Sequence, residues 1–163
     1  MTATGGQLVR EYRQRVEGAP ERVFPLLCPV REGEWLDGWA ERCTLVHSGS
    51  GFAEPGCVFI TSSPSLPDTV WIVTRHDPGA GLVEFARVCP GLEAVTLAIS
   101  VRAEGPASAV TIRYAVTPLP GADREEIERR WSIDAFNADL AFWEASMNHY
   151  LATGTRLGHS QTG

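Results

Sequence analysis

The hydrophobic period of this chain changes between its middle and its C-terminal third, and that change sets what it can fold into. From Arg42 to Thr117 apolar residues recur at every second position, whereas beyond Asp123 they recur at alternating intervals of three and four. The first pattern belongs to strands with two unlike faces and the second to a helix with one apolar stripe. Strands joined by short turns must run antiparallel, because a parallel crossover needs a dozen residues or more. A run of antiparallel strands followed by a helix is an α+β architecture.

Six candidate strands fill that span: Arg42–His47, Cys57–Thr61, Thr69–Arg75, Leu82–Val88, Ala94–Arg102 and Ser108–Thr117. The pieces between them, Ser48-Gly49-Ser50-Gly51, Ser62–Asp68, Asp77–Gly81 and Glu104–Pro106, carry the glycines, prolines and small polar residues of turns. Two strands alternate cleanly, with Val95, Leu97, Ile99 and Val101 on one face of the first and Val110, Ile112, Tyr114 and Val116 on one face of the second. Thr96, Ser100, Thr111 and Arg113 fall on their other faces, so the sheet has a wet side. A seventh strand, Leu8–Val16, precedes the span. In the third to fifth strands both faces carry apolar residues, and a one-residue bulge there would exchange them.

Between the first two strands, Pro20 at a first helical position followed by Val23, Phe24, Leu26 and Leu27 predicts a short helix. Pro25 and Pro29 keep it short, and Arg31–Trp35 predicts a second short helix at an angle to it. At the C-terminal end, Asp123 with Glu126 three residues on resembles a capping box, and Gly154 is a stop. That predicts one helix of about 30 residues and some 45 Å. Its stripe is Ile133, Phe136, Leu140, Trp143, Met147 and Tyr150, with Trp131 and Phe142 on the opposite side. That second apolar side would suit a partner or a homodimer through Trp131 and Phe142.

Charge and composition exclude several functions. Net charge is −6, and the fourteen basic residues are all arginine and are scattered, unlike the basic stripe of a nucleic-acid binder. Without lysine there is no amine for Schiff-base or P-loop chemistry. No apolar run nears the ~18 residues that span a bilayer, and Met1–Gly6 is small and polar rather than a secretory leader. Cys28, Cys43, Cys57 and Cys89 lack chelating spacing and read as reduced, mostly buried small hydrophobes. The expectation is a cytoplasmic protein, one domain over 1–163 with an ordered core from about 8 to 154 and a frayed tail from Leu157.

The order strand, two short helices, six strands and long helix resembles the helix-grip fold of the START-like superfamily, also called SRPBCC. The likeness at residue level lies in Ala19-Pro20-Glu21-Arg22-Val23-Phe24, in Cys28-Pro29-Val30-Arg31-Glu32-Gly33-Glu34-Trp35-Leu36-Asp37-Gly38-Trp39 and in the closing helix. The resemblance implies a curved seven-stranded antiparallel sheet wrapped around the long C-terminal helix, with a cavity between them closed by the two short helices. It also implies a function among lipid and sterol carriers, polyketide cyclases and aromatases, receptors and allergens, since fold does not fix function.

The residues then expected around a small, mainly hydrophobic ligand are Trp39, Phe59, Trp71, Arg75, Phe85, Leu97, Tyr114, Phe136, Leu140, Trp143 and Met147. Tyr114 shares a face with inward aliphatics, so its hydroxyl needs a partner from protein or ligand. Arg75 shares a face with Trp71 and Val73, and Arg87 with Val83 and Phe85. Either arginine could anchor a carboxylate or phenolate. Glu32, Glu54 and Asp134 are candidate acids or bases, because an apolar pocket raises a carboxyl pKa.

Catalytic motifs are missing. Gly49-Ser50-Gly51 is not a nucleophile elbow, and the run to Glu54 fails the dinucleotide fingerprint. His47, His76, His149 and His159 lie far apart, so no metal and no cofactor are expected. The leading expectation is a binding protein for a lipid, sterol or polyketide-like molecule. An enzyme resembling the polyketide cyclases and a protein-interaction module are the alternatives.

Overall fold

A computed structural model describes residues 6–158. Met1–Gly5, His159 and the rest of the tail lie outside the described residues, so the readings of the polar start and of the frayed end are met there only in part.

Seven strands form one antiparallel sheet: β1 (Leu8–Val16), β2 (Cys43–His47), β3 (Val58–Ser63), β4 (Leu66–Asp77), β5 (Leu82–Cys89), β6 (Glu93–Glu104) and β7 (Ala107–Pro118), in the spatial order β1-β7-β6-β5-β4-β3-β2. From β2 to β7 each strand pairs with its neighbour in sequence, the meander that short turns require, and β1 closes on β7. The clean alternation of β6 and β7 sets their register, with Leu97 opposite Tyr114, Ile99 opposite Ile112 and Val101 opposite Val110. The predicted Ser62–Asp68 connector is shorter in fact. Ser63 already pairs with Leu66, leaving Pro64-Ser65 as the turn.

The curved sheet wraps a long helix, α5 (Ile133–Thr153), while short helices bridge β1 and β2. Pro20–Val23 (α1) runs directly into a 3₁₀ turn at Phe24–Leu27, and Glu32–Trp35 forms α2. One further turn, α3 (Trp39–Arg42), was not foreseen; it starts after Gly38, whose φ of 74° few other residues adopt. Two indoles lock this region to its own backbone, Trp35 Nε1 donating to Leu26 O at 2.9 Å and Trp39 Nε1 to Pro29 O at 2.7 Å.

The C-terminal helix is not continuous. A first segment, α4 (Arg124–Arg130), starts with the Asp123 side chain accepting from Glu126 N, as the capping pattern predicts. It stops at Trp131, and Ser132 caps a new helix by accepting from Ala135 N. This break corrects the predicted single 30-residue helix and, with it, two azimuths. Ile133 opens α5 with 62% exposure instead of facing the sheet. Trp131 and Phe142, placed opposite the stripe by uninterrupted helical arithmetic, are instead half-buried and packed against the main core. The two residues expected to support a homodimer therefore pack in part against this chain's own core.

Edge strand β1 is covered by α5. Arg15 N donates to Glu144 Oε1 at 3.1 Å, Glu17 N to Asn148 Oδ1 at 2.7 Å, and Gln14 Nε2 to Leu140 O at 2.9 Å. At the C-terminal end of this edge the Arg15 N–H and C=O, which could otherwise template another strand, are thus occupied by Glu144 and Asn148 of the helix. Among the described residues no helix is long and apolar enough to cross a membrane.

Candidate functional site

Because the sheet curls, its concave face meets α5 only in part, and a cavity of about 710 Å³ lies between them. That is within the range of small-molecule sites. Its walls are aromatic for a reason visible in the pleat: Phe59 on β3 stands directly opposite Trp71 on β4, and Phe85 on β5, opposite Val73, is the diagonal neighbour of Trp71 on the same inward face. Their rings form one cluster, Phe59 stacked on Trp71 at 5.3 Å with Phe85 edge-on to both at 6.2 Å. Opposite them, α5 contributes Phe136, Leu140, Phe142 and Trp143, and α2 with its following loop contributes Glu32, Leu36 and Asp37. A smaller recess of about 210 Å³ adjoins Trp39 and Phe59 on the side of Cys43 and Leu45.

Most residues expected at a ligand site are brought together here. Trp39, Phe59, Trp71, Phe85, Leu97, Tyr114, Phe136, Leu140 and Trp143 all line the cavity. Trp143 is half-buried, with its ring edge-on to Trp35 at 5.3 Å. Two expected residues lie elsewhere. A bulge between Val73 and Arg75 turns Arg75 outward, where it pairs with Asp77 at 3.4 Å and Glu84 at 3.9 Å. His76, the next residue, points in and its ring meets Phe24 at 5.4 Å. Met147 is fully buried core a turn beyond the cavity wall.

At one end of the cavity the wall is acidic. Glu32 is 5% exposed, and its Oε2 has no hydrogen-bond partner. Burial pushes this carboxyl up to about 8 against the opposing pull of Arg42, so the neutral acid predominates at pH 7. Asp139 on α5 lines the same cavity and is raised by burial, again with Arg42 pulling down. Tyr114 lies between the two ends: burial pushes its phenol up to about 12, Arg87 lowers it, and Glu32 and Asp139 raise it further. Of the other candidate carboxylates, Asp134 is exposed, while Glu54 accepts from the backbone N–H groups of Gly49 and Ser50 and is lowered by the bonds of that loop.

The other end is basic and was largely missed from sequence. Arg87 Nη2 donates to Glu93 Oε1 at 3.0 Å, and Glu93 Oε2 receives Arg130 Nη2 at 3.0 Å and Trp131 Nε1 at 2.9 Å. The Arg87 guanidinium sits between the Trp71 and Trp131 rings, 5.1 and 5.3 Å from their centroids. Neither Glu93 nor Arg130 has a sequence signature. The joint at Trp131-Ser132 brings them together, and Arg10 Nε holds it by donating to Trp131 O at 2.7 Å.

Among the described residues no three His, Cys, Asp or Glu side chains gather as a metal site. The cysteines are unpaired, Cys28, Cys57 and Cys89 buried and Cys43 half-buried, with its thiol pushed up to about 11 chiefly by burial.

No family model matches the chain, and no curated protein does. Solved structures do. Norcoclaurine synthase from Thalictrum flavum in complex with dopamine and hydroxybenzaldehyde matches with a TM-score of 0.67 at 12% identity, over 93% of this chain and 94% of that one. Ara h 8.0201 matches with 0.66 at 14%, over 91% and 100%. CalU16 from Micromonospora echinospora matches with 0.59 at 13%, over 96% and 85%. At these identities the likeness is one of fold.

Proposed function

On the helix-grip fold of the START-like superfamily, which this chain has, we propose a cytoplasmic protein that binds a small, mainly hydrophobic ligand of lipid, sterol or polyketide type between sheet and α5. The observation that carries this reading is the aromatic-walled cavity of about 710 Å³. Burying a ligand's apolar surface there contributes roughly 25 cal/mol per Å² before ordering costs. Free, mostly buried cysteines suit a reducing compartment.

Glu32 favours a second reading, an enzyme of polyketide-cyclase type. A buried carboxyl that is neutral at pH 7, with its Oε2 free of hydrogen-bond partners, can give its proton to a bound carbonyl, and the carboxylate this leaves can take one from the adjacent carbon. The two readings part in one experiment. Native mass spectra of freshly purified protein, beside denatured ones, should show an adduct of a few hundred daltons that is lost on unfolding. A recovered ligand that returns chemically unchanged from incubation supports binding. One that is converted by wild type and not by Glu32→Gln supports the enzyme, and a chain that takes up no hydrophobic probe at all sinks both.

A further inference from the structure

Two guanidiniums share one carboxylate at the basic end of the cavity. Glu93 is 1% exposed and holds Arg87 and Arg130, each at 3.0 Å. Two guanidinium cations against one carboxylate leave this end of the cavity with an excess of positive charge. The Nε atoms of both arginines are buried with no acceptor. The Arg87 guanidinium is also packed against two indoles, its Cζ 5.1 Å from the Trp71 ring centroid and 5.3 Å from that of Trp131, which leaves the side chain 16% exposed. Uncompensated charge of this kind is costly to hold in an apolar wall, and an anionic oxygen brought in by a ligand would offset that cost. Tyr114 stands on the same wall, its ring 5.2 Å from that of Trp131, and adds a hydroxyl.

Resting on the binding reading above, we propose that the Arg87–Arg130 end of the cavity is a subsite for the acidic group of the ligand, so that the ligand is a hydrophobic acid rather than a neutral lipid. The apolar body lies along Phe59, Trp71 and Phe85, and a carboxylate, or a group with the same anionic oxygen chemistry, meets the guanidiniums. Arginine pairs with carboxylates through short charge-assisted bonds, which is why position and charge together select for the acid.

The test compares 2-naphthoate with 2-naphthamide, alike in shape and different in charge, by calorimetry at neutral pH on the full chain, with Nile red as a neutral probe of the cavity. Wild type should bind the acid about tenfold more tightly than the amide. Arg130→Gln should abolish most of that preference, weakening naphthoate far more than Nile red, and Arg87→Lys, which keeps the charge but loses the planar stack, should reduce it less. Equal affinity for acid and amide in wild type, or a preference that survives Arg130→Gln and Arg87→Gln, overturns the subsite and leaves the cavity reading standing. Failure of wild type to bind Nile red or either naphthyl compound overturns both.

Discussion

The Trp131 indole N–H donates to the Glu93 carboxylate at 2.9 Å, tying the break between α4 and α5 to the first residue of β6. Ser132 can start a new helix there because the preceding residue is held by the sheet rather than by the helix it ends. The same carboxylate pairs with two arginines, so the joint and much of the charge balance at this end of the cavity rest on one side chain.

Replacing Glu93 should therefore cost far more than replacing Trp131. Glu93→Gln leaves two largely buried guanidiniums without their anion, a loss of about 3–5 kcal/mol by the usual cost of breaking a buried pair. For a domain of this size that is a fall in Tm of roughly ten degrees or more. Trp131→Phe keeps the ring over Arg87 and loses one hydrogen bond, about 1–2 kcal/mol. Thermal and urea unfolding of both variants check the order; equal losses would mean that Glu93 serves only as the indole's acceptor.

Glu32 predicts a distinctive pH dependence. Its folded pKa of about 8 stands above the unfolded value of 4.5 because burial penalises the charged form. Below about pH 4.5 both states are protonated and there is no penalty. Between 4.5 and 8 the unfolded chain releases this proton and the folded chain keeps it, so stability falls as pH rises, by about 1.4 kcal/mol per unit and on the order of 5 kcal/mol in all. Above 8 the loss is complete. Glu32→Gln removes the titration, and its stability relative to wild type should climb from pH 5 to pH 8 in urea unfolding curves. Parallel curves for the two proteins across that window would show that Glu32 ionises normally.

Gly81 is required by its surroundings and not only by its turn. At φ +65° it is already in the left-handed region, and a Cβ there would stand 2.4 Å from the Val101 carbonyl oxygen, which belongs to a backbone that cannot yield cheaply. Gly81→Ala should destabilise by about 3 kcal/mol or more, combining left-handed strain with a clash. Gly91 has a similar φ of +75° with nothing near its missing Cβ, so Gly91→Ala should cost only about 1 kcal/mol. Similar Tm losses for the two would refute the contact with Val101.

What sequence made legible was what regular period controls. Val95, Leu97, Ile99 and Val101 alternate without interruption, and the structure places all four on the buried side of β6. The aromatic wall followed from the same rule once Phe59, Trp71 and Phe85 shared a face. Misreadings arose where period breaks locally. Thr74 gives no sign of the bulge that sends Arg75 outward, since threonine suits either face of a strand. At Trp131-Ser132 a signal did exist: a serine cap followed by Asp134 in the first turn marks a helix start inside an apparently continuous helix. Glu93 meeting Arg130 is a contact between distant segments, which no local pattern encodes.

Trp143 and Met147 share a stripe in sequence, yet the structure gives them different work, and two substitutions should separate it. Met147 is fully buried among its neighbours and does not line the cavity, so Met147→Ala opens a void in packed core and should cost about 2–5 kcal/mol of stability. Its effect on Nile red affinity should be less than twofold. Trp143 is half-buried on the cavity wall, so Trp143→Ala removes surface a ligand would cover. Losing about 60 Å² of apolar contact at roughly 25 cal/mol per Å² corresponds to about a tenfold weaker complex. Stability should fall less than in Met147→Ala, because part of the indole already faces open space. Measured side by side by urea unfolding and Nile red titration, the two variants should cross, one losing mainly stability and the other mainly affinity. If Met147→Ala weakened the probe as much as Trp143→Ala, the ligand would reach past Leu140 into the core, and the cavity boundary drawn at that residue would be wrong.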